Sequence, residues 1–194
     1  KGQLSITYIV ETTVADTRAN ISCETPTADD FALTIEGVGH TFHADYATLA
    51  EFNADNYLNN GTYKASVVAG DVNEEGYDKA TFAGSAQFTV EPRQETAVSV
   101  TATIANALVK VEVTEAFERY FEGGHTLTLT TAAGNEFDVT EQAEPIFIAP
   151  KAFTISGTAT KQPAQSGVEG AVVSLNYQPE QVKAQTLYTV KFDV

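Results

Sequence analysis

Hydrophobicity along this 194-residue chain alternates with a period of two, repeatedly, in short runs broken by turn residues. Leu4, Ile6, Tyr8 and Val10 open the series, and Phe31, Leu33 and Ile35 follow. Tyr63, Ala65, Val67 and Ala69 repeat the pattern, then Phe88 and Val90, then Val98, Val100, Ala102 and Ile104. Val109, Val111 and Val113, Leu127 and Leu129, Phe153 and Ile155, and finally Tyr188, Val190, Phe192 and Val194 complete it. Successive side chains of an extended strand point to opposite faces, so each run is a ribbon wet on one side and dry on the other. Many such ribbons with turn signals between them predict an all-β chain of packed sandwiches, not a parallel sheet with crossover helices.

The punctuation agrees. Asn59-Asn60-Gly61, Gly123-Gly124 and Ala133-Gly134-Asn135 supply the positive φ that tight turns need, and the last reads as a hairpin loop. Two segments have helical spacing. Ala44 to Tyr57 places Tyr46, Leu49 and Phe52 three apart, and Thr114 to Phe121 offers Phe117, Tyr120 and Phe121 behind a Thr114 cap. Both are short, which suits plugs at the end of a sandwich or over a sheet edge. The length is comfortable for two domains. The polar, proline-containing stretch Glu91-Pro92-Arg93-Gln94-Glu95 predicts the junction, giving sandwich domains over 1–91 and 92–194. Residues 161–170 (KQPAQSGVEG) read as an exposed loop.

Charge narrows the partners. Twenty-six acidic against 11 basic residues give a net charge of −15, which repels phosphate backbones and anionic lipid surfaces and excludes nucleic acid as a partner. The single cysteine, Cys23, allows no intrachain disulfide and reads as a packed thiol. No apolar run approaches the ~20 residues that span a bilayer. The chain begins at Lys1 and contains no methionine, from which a trimmed N-terminus is expected.

Candidate sites are few. Asp71, Asn73, Glu75 and Asp78 place oxygen ligands around Gly76 in an acidic loop that resembles the opening of a calcium loop, but Phe82 stands where the bidentate glutamate belongs. A solvated acidic hairpin loop is the plainer reading. His40 and His43 are spaced for zinc only if helical, and their surroundings look extended. No G-x-S-x-G elbow, P-loop or G-x-G-x-x-G is present, so no enzyme and no cofactor is expected. Tyr46, Tyr57, Tyr77 and Tyr120 lie at or beside loops and short helices, where rings serve either as a sugar platform or as end caps of the core.

The order of features is also familiar. Gly2-Gln3-Leu4-Ser5-Ile6 leads to Asp30-Phe31-Ala32-Leu33-Thr34-Ile35, then to Tyr57-Leu58-Asn59-Asn60-Gly61-Thr62-Tyr63-Lys64-Ala65 and an acidic loop with Gly76-Tyr77. Ala80 to Gly84, Phe88-Thr89-Val90-Glu91, Thr103 to Val111 with Phe117, and a final strand with Tyr188 to Phe192 complete it. In this it resembles surface lipoproteins of Gram-negative gut anaerobes, similar to fimbrillins and their accessory subunits. The resemblance implies paired transthyretin-like or immunoglobulin-like sandwiches, export through a lipid anchor upstream of Lys1, and a place at the cell surface or outer membrane. It also implies adhesion or pilus-related assembly with other surface subunits or with host or glycan ligands. A glycan-binding module of a polysaccharide-uptake system is the alternative. Fimbrillin-type subunits can exchange strands after proteolysis near the N-terminus. Arg18 is the candidate processing point, with an ordinary turn arginine as the plainer reading.

Overall fold

A computed structural model gives the fold and describes residues 1–54 and 56–194. Among the described residues the chain is predominantly β, with two short helices. It divides into two compact units, one made of 1–71 and 80–105, the other of 72–79 and 106–194.

The first unit contains β1 (Gly2–Val10), β2 (Ala32–Gly37), β3 (His43–Tyr46), α1 (Leu49–Ala54), β4 (Tyr57–Leu58), β5 (Gly61–Ala69), β6 (Phe82–Val90) and β7 (Glu95–Ile104). They hydrogen-bond in the order β3-β2-β5-β6-β7-β1-β4. The alternating residues do what their spacing predicts: Leu4, Phe31, Leu33, Ile35, Tyr63, Val67, Val100 and Ile104 are all buried. The β6–β7 ladder is confined to Phe82↔Ile104 and Ala83↔Thr103. At that corner a side-chain carbon on Gly84 would lie 2.0 Å from the carbonyl oxygen of Thr101, so only glycine permits the approach. Over the rest of its length β7 runs parallel to β1, from Gln3↔Glu95 to Val10↔Ala102.

The second unit contains β8 (Ala107–Val113), α2 (Glu115–Tyr120), β9 (His125–Thr131), β10 (Glu136–Asp138), β11 (Ile146–Ile148), β12 (Phe153–Thr160), β13 (Val172–Tyr177) and β14 (Thr186–Phe192). They form a four-stranded sheet, β10-β9-β12-β13, and a three-stranded sheet, β11-β8-β14. One core draws on both: Val109 and Val111 of β8, Ile146 and Ile148 of β11 and Val190 of β14 join Leu127, Leu129, Phe153 and Ile155 of β9 and β12. The outer face of the larger sheet is hydroxyl-rich, with Thr130 opposite Thr154 and Thr128 opposite Ser156.

Strand by strand, β8 to β14 repeat β1 to β7. The order β10-β9-β12-β13 repeats β3-β2-β5-β6, and β14-β8-β11 repeats β7-β1-β4. In each unit the first and last strands pair in parallel, and the first strand pairs antiparallel with the fourth. The β6–β7 corner has no counterpart between β13 and β14.

Several sequence expectations move. Residues 91–95 lie within the first unit, at the turn between β6 and β7, where Arg93 takes a left-handed φ of 59°. The polar, proline-bearing composition there marks the turn between β6 and β7, and the chain passes into the second unit for the last time at 105–106. The helix expected over 44–57 is confined to Leu49–Ala54, since Ala44 to Tyr46 pair with β2 and Tyr57 pairs with β1. Residue 55 of that stretch lies outside the described residues. The Thr114 cap is present, its Oγ1 accepting from the Phe117 amide at 3.1 Å.

Candidate ligand-binding surface

The four candidate tyrosines differ in exposure. Tyr46 is half-buried, edge-on to buried Phe52 at 5.0 Å, and belongs to the packing of α1. Tyr57 is exposed on β4, and Tyr77 is exposed on the 72–79 segment. Burial pushes the Tyr77 phenol above its ordinary pKa, with the charges of Asp138 and Glu144 adding to the effect. Tyr120 lines a depression, of about 500 Å³, together with Ala116, Arg119, Lys161, Gln162 and Val194.

Local chemistry explains why these side chains meet. The acidic first turn and Arg119 in the last turn of α2 complement the helix dipole. Phe117 and Phe121 turn inward, with centroids 4.7 Å apart, and Phe117 packs edge-on to His125 at 5.4 Å. That buried stack leaves Tyr120 on the rim, edge-on to Phe121 at 4.9 Å and 47% exposed. The chain leaving α2 then ties to the end of β12. The Gly123 amide donates to the Thr160 carbonyl at 3.1 Å, and the Thr160 amide donates to the Gly124 carbonyl at 2.9 Å. A side chain at Gly123 would come within 2.7 Å of the Thr160 methyl group, so glycine allows the close approach. Residues 161 and 162 are thereby delivered beside the helix. The Lys161 ammonium lies 5.5 Å from the Tyr120 ring centre, and Gln162 Nε2 donates to the Arg119 carbonyl at 3.2 Å. Arg119 pairs with Glu115 one turn earlier, both exposed.

The other candidates are placed apart. Glu75 is held as an acceptor: Oε1 receives Thr131 Oγ1 at 2.6 Å and Asn135 Nδ2 at 2.7 Å, and Oε2 receives the Ala149 amide at 2.9 Å. The backbone of Gly76 pairs with Phe147 through two bonds of 2.9 Å. Asn73, Glu75 and Asp78 therefore lie in a segment built into the second unit, whereas Asp71 belongs to the first. Among the described residues no three His, Cys, Asp or Glu side chains are grouped to hold a metal. His40 Nε2 bonds to the Thr62 carbonyl at 2.9 Å, while His43 Nε2 bonds to Asp45 at 2.8 Å, so the two imidazoles serve different partners. The bond to Asp45 raises the His43 pKa, and bonds from Thr34 and His43 lower that of Asp45. Cys23 is half-buried, its Sγ 3.7 Å from the Ile21 carbonyl oxygen. Arg18 is exposed in a turn closed by Val14 N–H to Ala19 C=O at 3.0 Å, with a left-handed φ of 56°. The strand before it, β1, is paired within its own unit between β7 and β4.

Arg119, Lys161 and Gln162 escaped the sequence reading because the contact joins a helix end to a loop distant in the chain. The one available signal was the Gly-Gly pair that lets them approach.

No helix among the described residues is long and apolar enough to cross a membrane. The chain belongs to the family described as Domain of unknown function (DUF4493), whose profile matches residues 1–194. No curated protein matches it. Among solved structures it is similar to a candidate polysaccharide-binding protein of Bacteroides thetaiotaomicron. The identity there is 8%, over 92% of this chain and 72% of that one, with a TM-score of 0.44. It is also similar to a candidate cell adhesion protein of Bacteroides eggerthii, at 10% identity over 99% and 86% of the two chains, TM-score 0.46. A candidate cell adhesion protein of Bacteroides thetaiotaomicron matches at 14% identity over 97% and 91%, TM-score 0.42.

Proposed function

For a member of this family with this surface, we propose a non-catalytic role at the cell surface, holding a ligand without transforming it. The observation that carries the reading is the Tyr120 depression, where an exposed ring stands among two cations and an amide on a scaffold of paired strands. The apolar C–H face of a sugar stacks on such a ring, and its hydroxyls take hydrogen bonds from the amide and the cations beside it. The ligand class favoured is therefore a glycan. Adhesion and the binding step of polysaccharide uptake both use it.

Two tandem sandwiches are part of the proposal. They are supported in the second unit by a core shared between two sheets, and in the first by the same strand order. The surface location and the upstream lipid anchor are proposed from the motif resemblance alone. A fimbria-related structural role is the second reading. It is favoured by β13, an exposed edge strand with Val172 at 64% and Tyr177 at 37% exposure, whose free backbone groups suit addition of a strand from a partner.

A glycan array followed by affinity electrophoresis tests the first reading. Retention by at least one polysaccharide, lost in Tyr120→Ala with the thermal midpoint unchanged, is expected. Retention by none, or turnover of a polysaccharide during the assay, would overturn it.

A further inference from the structure

We infer that the Tyr120 depression selects a sugar carrying negative charge, either a carboxylate or a sulfate. This rests on the glycan reading of the same site and adds the class of sugar to it.

The charge of the depression runs against the composition of the chain. Acidic side chains outnumber basic ones by 26 to 11 in the whole chain. The depression inverts that balance: Arg119 and Lys161 line it, and none of its six lining residues is Asp or Glu. An acidic chain gains nothing in solubility from gathering two cations around an exposed phenol.

Both cations are available. Among the described residues Lys161 has no carboxylate partner, and its ammonium rests over the Tyr120 ring. A sugar that takes the ring face displaces that ammonium, which its flexible stem can then carry to the sugar's own anionic group. Arg119 is paired with Glu115, but both partners are more than 70% exposed, and an ion pair so fully in water is weak enough for a ligand anion to compete. Gln162 holds the Arg119 carbonyl and so fixes the loop carrying Lys161 against the helix. Long-range repulsion from the net charge is screened beyond about 8 Å at physiological ionic strength, leaving these nearest groups to decide.

The test uses the whole chain at physiological salt against matched polymers: dextran and galactan as neutral probes, polygalacturonate and dextran sulfate as anionic ones. Stronger retention of an anionic polymer than of its neutral counterpart is expected. Lys161→Gln should weaken that retention by about tenfold or more, the size of one charge-assisted hydrogen bond, and weaken retention of neutral polymers by less. Lys64→Gln, an exposed lysine of the first unit, should change nothing. Preference for one anionic polymer over the other identifies the group as carboxylate or sulfate. Equal retention of neutral and anionic polymers, or equal effects of the two lysine variants, overturns the inference while leaving the glycan reading standing. Retention of no polymer at all removes both.

Discussion

Glu75 offers the sharpest test of how the second unit is held together. Its carboxylate accepts from the Thr131 hydroxyl, the Asn135 amide and the Ala149 backbone N–H. Thr131 and Ala149 are each 6% exposed, so water cannot readily replace the lost acceptor for those two. Glu75→Ala therefore strands two buried donors, at about 1–3 kcal/mol each, whereas exposed Asn135 recovers a water. A total near 3 kcal/mol is expected. Glu75→Gln should be much milder. Its carbonyl can face the Ala149 N–H, while its NH2 group donates to the Thr131 oxygen and to an Asn135 side chain turned to present its carbonyl. About 1 kcal/mol is expected there. Urea denaturation gives the energies, and hydrogen exchange at the Ala149 amide reports the site directly. For a chain of this length 3 kcal/mol corresponds to about 6–12 °C in thermal midpoint, and to more if the second unit unfolds separately. Added calcium should leave the wild-type midpoint unmoved, because ligation would have to strip Glu75 from these donors. Stability of Glu75→Ala within about 0.5 kcal/mol of wild type, or a glutamine variant worse than the alanine one, would refute the reasoning.

Further outcomes follow from the same geometry. Gly84→Ala puts a methyl group 2.0 Å from the Thr101 carbonyl oxygen and should cost about 1–3 kcal/mol, and an unchanged urea midpoint would show that β6 and β7 do not meet there. His43 has a folded-state pKa above its unfolded value, through its bond to Asp45 and the Asp45 charge. The pair therefore stabilises below about pH 6.5 for as long as Asp45 stays ionised, and fades as the pH rises through the folded His43 value. An NMR titration of the His43 ring should show the elevation and its reduction in Asp45→Asn, where Glu36 remains beside the ring, and identical titrations would remove the pairing. Trypsin at Arg18 should be slow, since Val14 and Ile21 flanking the turn are buried. The nicked protein should elute at the wild-type volume because β1 stays paired along β7, and a released N-terminal fragment or a ladder of oligomers would contradict this.

The strands were legible because burial of one face is written into every second residue. Leu33 and Ile35, or Leu127 and Leu129, can sit on only one side of a sheet once their neighbours must face water. Where both faces are covered, the signal fails. Leu108 is fully buried between Ala107 and Val109, and paired Phe147 is buried between Ile146 and Ile148, so alternation marks neither. The limits of the compact units are hard to read from composition for a related reason. Glu91 to Glu95 has linker composition, yet polar residues and proline serve a two-strand turn equally well. The passage at 105–106 has no loop, since β7 ends at Ile104 and β8 begins at Ala107. The 72–79 segment was read as a solvated acidic loop. Its acidity is real, but Glu75 finds its donors on strands and loops far ahead in the chain, which no local pattern announces.

The repeated strand order was also invisible, because period-two alternation specifies which face is dry and not which residue makes it so. Besides the β6–β7 corner, the two units differ in where each carries its helix. In the first, α1 lies between β3 and β4 and turns Leu49 and Phe52 inward, with Tyr46 packed on Phe52. In the second, α2 follows β8 directly, and Phe117 is its buried anchor. The helix then presents Arg119 and Tyr120 outward, beside the loop that follows β12. The same seven-strand scaffold thus uses one tyrosine as packing and the other as surface. The helix's place in the strand order decides which, and this is how a scaffold duplicated in architecture acquires a candidate site in one unit through a single displaced element.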